Sequence, residues 1–164
     1  MKAIWKFMND ESGLETLEYA VVGAIVAAVA LLIYGSGWGG SVQNTLLVLD
    51  FEPNPSGPSM SLEDARAFVT HVNQVTGRFP GLYSGSYIKE LLGSGKDPVL
   101  AQCWFWLAQY GPTAVVPVNW PTWTMWQYTD GAVGPDPHEV AGIGHCDRDK
   151  FNGTEDQLRT LWQG

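Results

Sequence analysis

Positive charge is scarce in this chain. Nine Lys and Arg stand against 17 Asp and Glu, a net charge of −8, which leaves no electrostatic footprint for nucleic acid. Cysteine is almost absent, with only Cys103 and Cys146. Cys103 opens an expected strand and Cys146 sits in a loop at the strands' far end, so two free thiols are expected over a bridge. Histidine is nearly as rare, and His71, His138 and His145 are too scattered, with too few cysteines beside them, for a metal site. Several catalytic motifs also fail. Gly93-Ser94-Gly95-Lys96-Asp97 has Glu90 and Asp97 where a phosphate-binding loop needs Gly and Ser or Thr. His138-Glu139 lacks the second His of a zinc protease, and Ser84 and Ser86 beside Gly85 form no nucleophile elbow. No cofactor and no metal are expected.

What the chain does have is aromatic surface and one telling apolar run. Its length of 164 residues allows one domain of ordinary size, and it carries eight Trp and six Tyr, most of them after residue 80. Such rings serve either as core or as faces that stack on sugars. The run Leu46-Leu47-Val48-Leu49-Asp50-Phe51-Glu52 ends in two carboxylates two positions apart. In a β-strand, residues i and i+2 share a face, so Asp50 and Glu52 emerge together at its C-terminal end. Close carboxylates push their pKa values apart, leaving one to act as an acid while the other stays charged. Glycoside hydrolysis uses that division. The plainer reading is a strand running into a solvated acidic loop.

Later segments bear on that choice. The chain continues as Pro53-Asn54-Pro55-Ser56-Gly57, then reads Phe79-Pro80-Gly81-Leu82-Tyr83-Ser84-Gly85 and Trp104-Phe105-Trp106-Leu107-Ala108-Gln109-Tyr110. Pro121-Thr122-Trp123-Thr124-Met125-Trp126-Gln127-Tyr128 and Asp147-Arg148-Asp149-Lys150-Phe151-Asn152-Gly153 follow in order. Over residues 46–164 this series resembles the second half of glycoside hydrolase family 25, the Chalaropsis-type lysozymes. The resemblance implies an α/β fold, part of a TIM-type (β/α) barrel. It also implies a muramidase that cuts the β-1,4 bond between N-acetylmuramic acid and N-acetylglucosamine in peptidoglycan glycan strands. By the same resemblance Glu52 is the general acid, and Asp50 stabilises the oxocarbenium-like transition state or orients the substrate's acetamido group. Asp147 matches a further active-site aspartate, and Tyr83, Trp106, Tyr110 and Gln127 line the sugar groove. Arg148 and Asp149 read as a local ion pair, with Asp149 standing where the family commonly has asparagine. The family's first three strands, and the aspartate on the first of them, have no counterpart before Leu46.

The pattern predicts a strand over 45–52. A helix should follow from an N-cap at Ser61, carrying Leu62, Ala65, Phe68, Val69, Val72 and Val75 on one face and stopping at Gly77. Further strands are expected at 81–84, 103–110, 115–118 and 122–128, with short helices at 87–92 and 154–162. Alternation leaves two faces open for the last strand, Trp123, Met125 and Gln127 or Thr124, Trp126 and Tyr128.

Residues 1–45 differ in character and read as a separate unit. Tyr19 to Tyr34 is uncharged and apolar, slightly short of the ~20 residues a membrane span needs, which extension to Trp38 supplies. A long hydrophobic N-terminal helix crossing a membrane through residues 19–38 is therefore expected, with Lys2 and Lys6 on the cytoplasmic side. Phe7 through Asp10-Glu11-Ser12-Gly13, followed by Glu18-Tyr19, resembles the leader of Flp-type pilins. That resemblance implies cleavage after Gly13, making Glu18 the fifth residue, and assembly through the N-terminal helix. The plainer reading is a membrane anchor. The lysozyme-like part would lie on the extracytoplasmic side or be secreted after cleavage. Two functions follow: a membrane-anchored muramidase, or a non-catalytic pilin-like anchor carrying an inactive lysozyme remnant. In the second, an open half-barrel would aggregate or pair as a homodimer.

Overall fold

The computed structural model describes residues 46–163, which belong to a unit beginning at Asn44. Strand β1 (Val48–Asp50) leads through a loop to helix α1 (Leu62–Thr76), and then to β2 (Gly81–Ser84) and α2 (Ser86–Leu92). A short 3-10 turn (Leu100–Gln102) precedes β3 (Trp104–Ala108), and β4 (Met125–Thr129) follows a long connection. The chain then forms a small hairpin of β5 (Glu139–Val140) and β6 (Gly144–His145), a final strand β7 (Arg148–Phe151) and helix α3 (Glu155–Gln163). The main sheet has the order β1-β2-β3-β4-β7. Its first four strands are parallel and β7 runs antiparallel beside β4.

Period-two alternation sorts the sheet into two faces. Leu49, Phe51, Leu82, Phe105, Leu107, Trp126 and Tyr128 point to one side, where they join Ala65, Val69, Ile88 and Leu100 in the core. Each fully buried Phe or Leu there is worth about 1.5–3 kcal/mol relative to exposure. Phe105 stacks on Trp120 at 4.2 Å, and the Trp120 indole N–H donates to the Cys103 carbonyl at 2.9 Å. Ser84 ties three elements together. Its hydroxyl donates to the Phe51 carbonyl at 2.6 Å and accepts the Ile88 amide of α2 at 3.3 Å.

Helix α1 begins as its sequence foretells. Ser61 and Asp64 form a reciprocal capping box, and Gly77 closes the helix at φ 74° with its amide on the Asn73 carbonyl. Ala65, Val69 and Val72 are buried, whereas Phe68 and Val75 remain exposed. The helix touches the sheet along a narrower stripe than its apolar positions suggest.

Two expectations need correction. Residues 115–118 form no strand: Pro117 within the segment has no ladder donor, and the chain runs irregularly into a turn closed by the Trp120 backbone N–H on the Pro117 carbonyl at 3.1 Å. Residues 148–151, where no strand was expected, form β7, which covers the outer edge of β4. Its Lys150 ammonium lies 4.9 Å from the ring centres of both Trp126 and Tyr128. Among the described residues no helix is long and apolar enough to cross a membrane. The span expected over 19–38 and the pilin-like leader lie outside them.

Asp97 anchors the connection between α2 and β3. The side chain, 2% exposed, accepts the Val99 and Leu100 amides at 3.0 Å each and Arg66 Nε–H at 2.6 Å. Burial pushes its carboxyl up, but those donors and the Arg66 charge outweigh it and hold the pKa below the usual range. A depressed carboxylate pKa stabilises the fold above the unfolded value near about 3.9 and loses that contribution as pH falls through the folded one. Replacing Asp97 by Ala should cost about 2–4 kcal/mol in urea unfolding near neutral pH, with the deficit shrinking in acid.

Candidate active site

The sheet's other face carries polar and aromatic side chains. Register places Asp50 opposite Tyr83, Tyr83 opposite Trp106, and Trp106 opposite Met125, so these residues form one row across β1 to β4. Gln127 pairs with Ala108 on one side and Asp149 on the other, continuing the same face onto β7. A groove of about 450 Å³ opens over this row, lined by Val48, Asp50, Tyr83, Trp106, Gln127, Asp147 and Asp149. The question of which β4 face belongs to it is thereby answered: Gln127 faces the groove, and Trp126 and Tyr128 belong to the core.

Aromatic rings build the floor. Tyr83 meets Trp106 edge to face at 5.4 Å, and Trp104 lies nearly parallel to Trp106 at 6.3 Å. Gly81 makes room for this arrangement, because a Cβ there would come within 2.3 Å of the Trp104 ring. The Tyr83 hydroxyl donates to Gln127 Oε1, and Gln127 itself is 5% exposed.

Asp50 and Glu52 both project from the face opposite Leu49 and Phe51, although the strand ends at Asp50. The Phe51 amide still donates to the Tyr83 carbonyl at 2.9 Å, which carries the ladder one step further and holds the alternation as far as Glu52. Burial, and then the charge of Asp50, raise the Glu52 pKa. Tyr83 reports where the carboxylates gather. Its hydroxyl pKa is driven far up by burial first, and then by Glu52, Tyr110, Asp50 and Asp147. Burial also raises that of Tyr110, followed by the charges of Asp130, Asp147 and Glu52. Asp50, Glu52 and Asp147 therefore converge on the Tyr83–Tyr110 corner from two distant parts of the chain.

Of the seven residues singled out from sequence, five (Asp50, Tyr83, Trp106, Gln127 and Asp147) line the groove. Glu52 stands beside the lining, and Tyr110, 40% exposed, lies at the margin. The expected Arg148–Asp149 ion pair is absent. Arg148 turns outward to donate to the Glu139 carbonyl at 2.7 Å, and Asp149 accepts the Trp106 indole N–H at 2.7 Å. Neighbours in a strand point to opposite faces, which is why the two separate. The i, i+2 spacing of Asp147 and Asp149 is the signal that would have found Asp149, had residues 148–151 been read as a strand. Cys103 and Cys146 are both free, Cys103 with its thiol pushed up to about 12 by burial and then by Asp97.

Comparison with known proteins gives this groove a context. A sequence profile described as glycosyl hydrolases family 25 matches residues 23–136, beginning ahead of Leu46, where the sequence reading placed the start. Lysozyme M1 of Streptomyces globisporus is 34% identical over 137 residues, covering 77% of this chain and 44% of that protein. The crystal structure of a bacterial lysozyme from Streptomyces coelicolor superposes with a TM-score of 0.56 at 35% identity, covering 71% of this chain and 55% of that one. A muramidase from Acremonium alcalophilum superposes equally well, TM-score 0.56 at 28% identity, with the same coverage of both chains. The chain thus spans about half the length of the relatives it matches.

The buried Gln127 acceptor depends on Tyr83. Phe in place of Tyr83 keeps the ring contact with Trp106 and removes the donor, so it should lower stability by about 1–2 kcal/mol in denaturant unfolding.

Proposed function

Because the chain belongs to the glycosyl hydrolases family 25, we propose that it is a lysozyme-type muramidase acting on the β-1,4 bonds of peptidoglycan glycan strands. The observation that carries this reading is the convergence of Asp50, Glu52 and Asp147 on Tyr83 at the edge of an aromatic-floored groove. The parallel sheet is read as the second half of a (β/α) barrel, with the groove at the carboxyl ends of its strands.

Glu52 is the general acid. Its raised pKa keeps it protonated closer to neutrality, ready to hand a proton to the departing glycosidic oxygen. Asp50, whose charge already acts on Glu52, faces the positive charge that develops on the sugar ring, either directly or by holding the acetamido group whose oxygen attacks the anomeric carbon. Asp147 closes the opposite wall. Tyr83, Trp106 and Gln127 offer the ring faces and polar atoms that hold a glycan. Residues 19–38 are read as a membrane anchor and residues 7–13 as a pilin-like leader cut after Gly13, which would place the groove outside the cytoplasm. Pilin-type or homodimeric assembly would follow from the same segment.

One observation favours a second reading, a glycan-holding module without turnover: Glu52 is exposed and stands outside the groove lining. Release of new reducing ends from purified peptidoglycan separates the two. The wild-type chain should release them and Glu52→Gln should lose about 10²–10⁴-fold in rate, whereas equal rates would remove Glu52 from the chemistry. The pH profile carries a second expectation. Activity should fall as pH rises through the elevated Glu52 pKa, and Asp50→Asn should shift that alkaline limb to lower pH by removing a charge that raises it.

A further inference from the structure

Trp106 is held on three sides. Tyr83 meets it at right angles, Trp104 lies alongside, and its Nε1–H donates to Asp149 Oδ1 at 2.7 Å. The two ring contacts leave the indole free to slide, because they are broad and weakly directional. The hydrogen bond is directional and its acceptor is a carboxylate, which makes it the contact that fixes the ring's rotation.

Its route through the fold is unusual. Trp106 is on β3 and Asp149 on β7, with β4 between them. Register sets Trp106 opposite Met125, and Asp149 opposite Gln127, so the bond crosses β4 diagonally above Gln127. The crossing needs an acceptor side chain at position 149 on the groove face. Partial desolvation of the carboxyl raises the Asp149 pKa, as does the nearby Asp147, and the Trp106 N–H opposes them without cancelling them. Bond cleavage as described above makes no use of Asp149.

We infer that Asp149 is a positioning residue: by accepting the Trp106 indole N–H across β4, it sets the ring plane on which one sugar of a glycan strand stacks. The inference rests on the glycan-groove reading and deepens it, assigning sugar affinity to a residue outside the acid machinery. With Asp149 gone, the indole turns about its side-chain torsions and the flat wall of the groove is lost.

The test uses the full chain in detergent, with Asp149→Ala, Asp149→Asn and Trp106→Phe. The probe is the N-acetylglucosamine trisaccharide, titrated calorimetrically, and the Trp106 indole N–H resonance, identified by its loss in Trp106→Phe, reports the bond itself. Asp149→Ala should move that resonance and weaken the trisaccharide about tenfold, the size of one hydrogen bond to a charged group. On soluble peptidoglycan fragments its KM should rise similarly while kcat stays within about threefold. Asp149→Asn retains a side-chain oxygen for the indole and should bind within about threefold of wild type. Urea midpoints keep loss of fold apart from loss of the wall. Wild-type affinity in Asp149→Ala, an unmoved resonance, or equal damage from Ala and Asn would each overturn the role of Asp149. A wild-type chain that takes no trisaccharide would overturn the glycan reading itself, and with it this inference.

Discussion

The pairing register of β1 with β2 is the constraint on which the site depends. With Asp50 opposite Tyr83, every groove residue falls on one face and every core residue on the other. A slip of one residue would drive Asp50 into the core and turn Leu49 and Phe51 into the groove. Two features prevent it. Phe51 is wholly buried against Tyr87, with ring centres 5.1 Å apart, and its carbonyl receives the Ser84 hydroxyl. The carboxylate-bearing end of β1 is thus fixed by the apolar residue lying between Asp50 and Glu52. Asp50 and Glu52 are placed by Phe51.

The same logic explains why the site is spread so widely in sequence. Each parallel strand delivers its own residues to the groove, and a helix or long connection must intervene before the next can do so. Asp50, Tyr83, Trp106 and Gln127 are therefore separated by a helix or a long connection each. The antiparallel β7 breaks the series. It returns directly along β4, so Asp149 meets Gln127 with no crossover, and Asp147 arrives at the rim from the opposite direction.

That geometry also sets what was legible in the sequence. Strands β1 and β2, the Ser61 capping box and the Gly77 stop announce themselves because they rest on local rules of alternation and capping. The groove residues Tyr83, Trp106 and Gln127 were found through family likeness, since alternation alone could not tell the groove face from the core face. What escaped depends on partners distant in the chain. Residues 148–151 are too charged to look like a strand, and become one because β4 offers its free edge while Lys150 settles over Trp126 and Tyr128. Phe68 and Val75 fit the helical stripe, yet nothing in local sequence says how wide a strip the sheet covers. The valines at 115–118 suggest a strand that Pro117 among them interrupts.

Charge completes the argument. The groove lining contains three carboxylates, with Glu52 beside them, and among the described residues no Lys, Arg or His lines it. Among the described residues Arg66 pairs with Asp97, Lys89 donates to Gln109 at 2.7 Å and Arg148 to the Glu139 carbonyl. An acidic groove in a chain of net charge −8 draws no benefit from the charge of an anionic polymer. Affinity for a glycan has to come from flat ring contacts and from polar atoms already aimed into the groove. Those contacts reward rigidity, because a stacking wall that must first be ordered returns part of its free energy as lost entropy. The ties that run from Trp106 to Asp149, and from Tyr83 to Gln127, meet that requirement. They cost conformational freedom during folding.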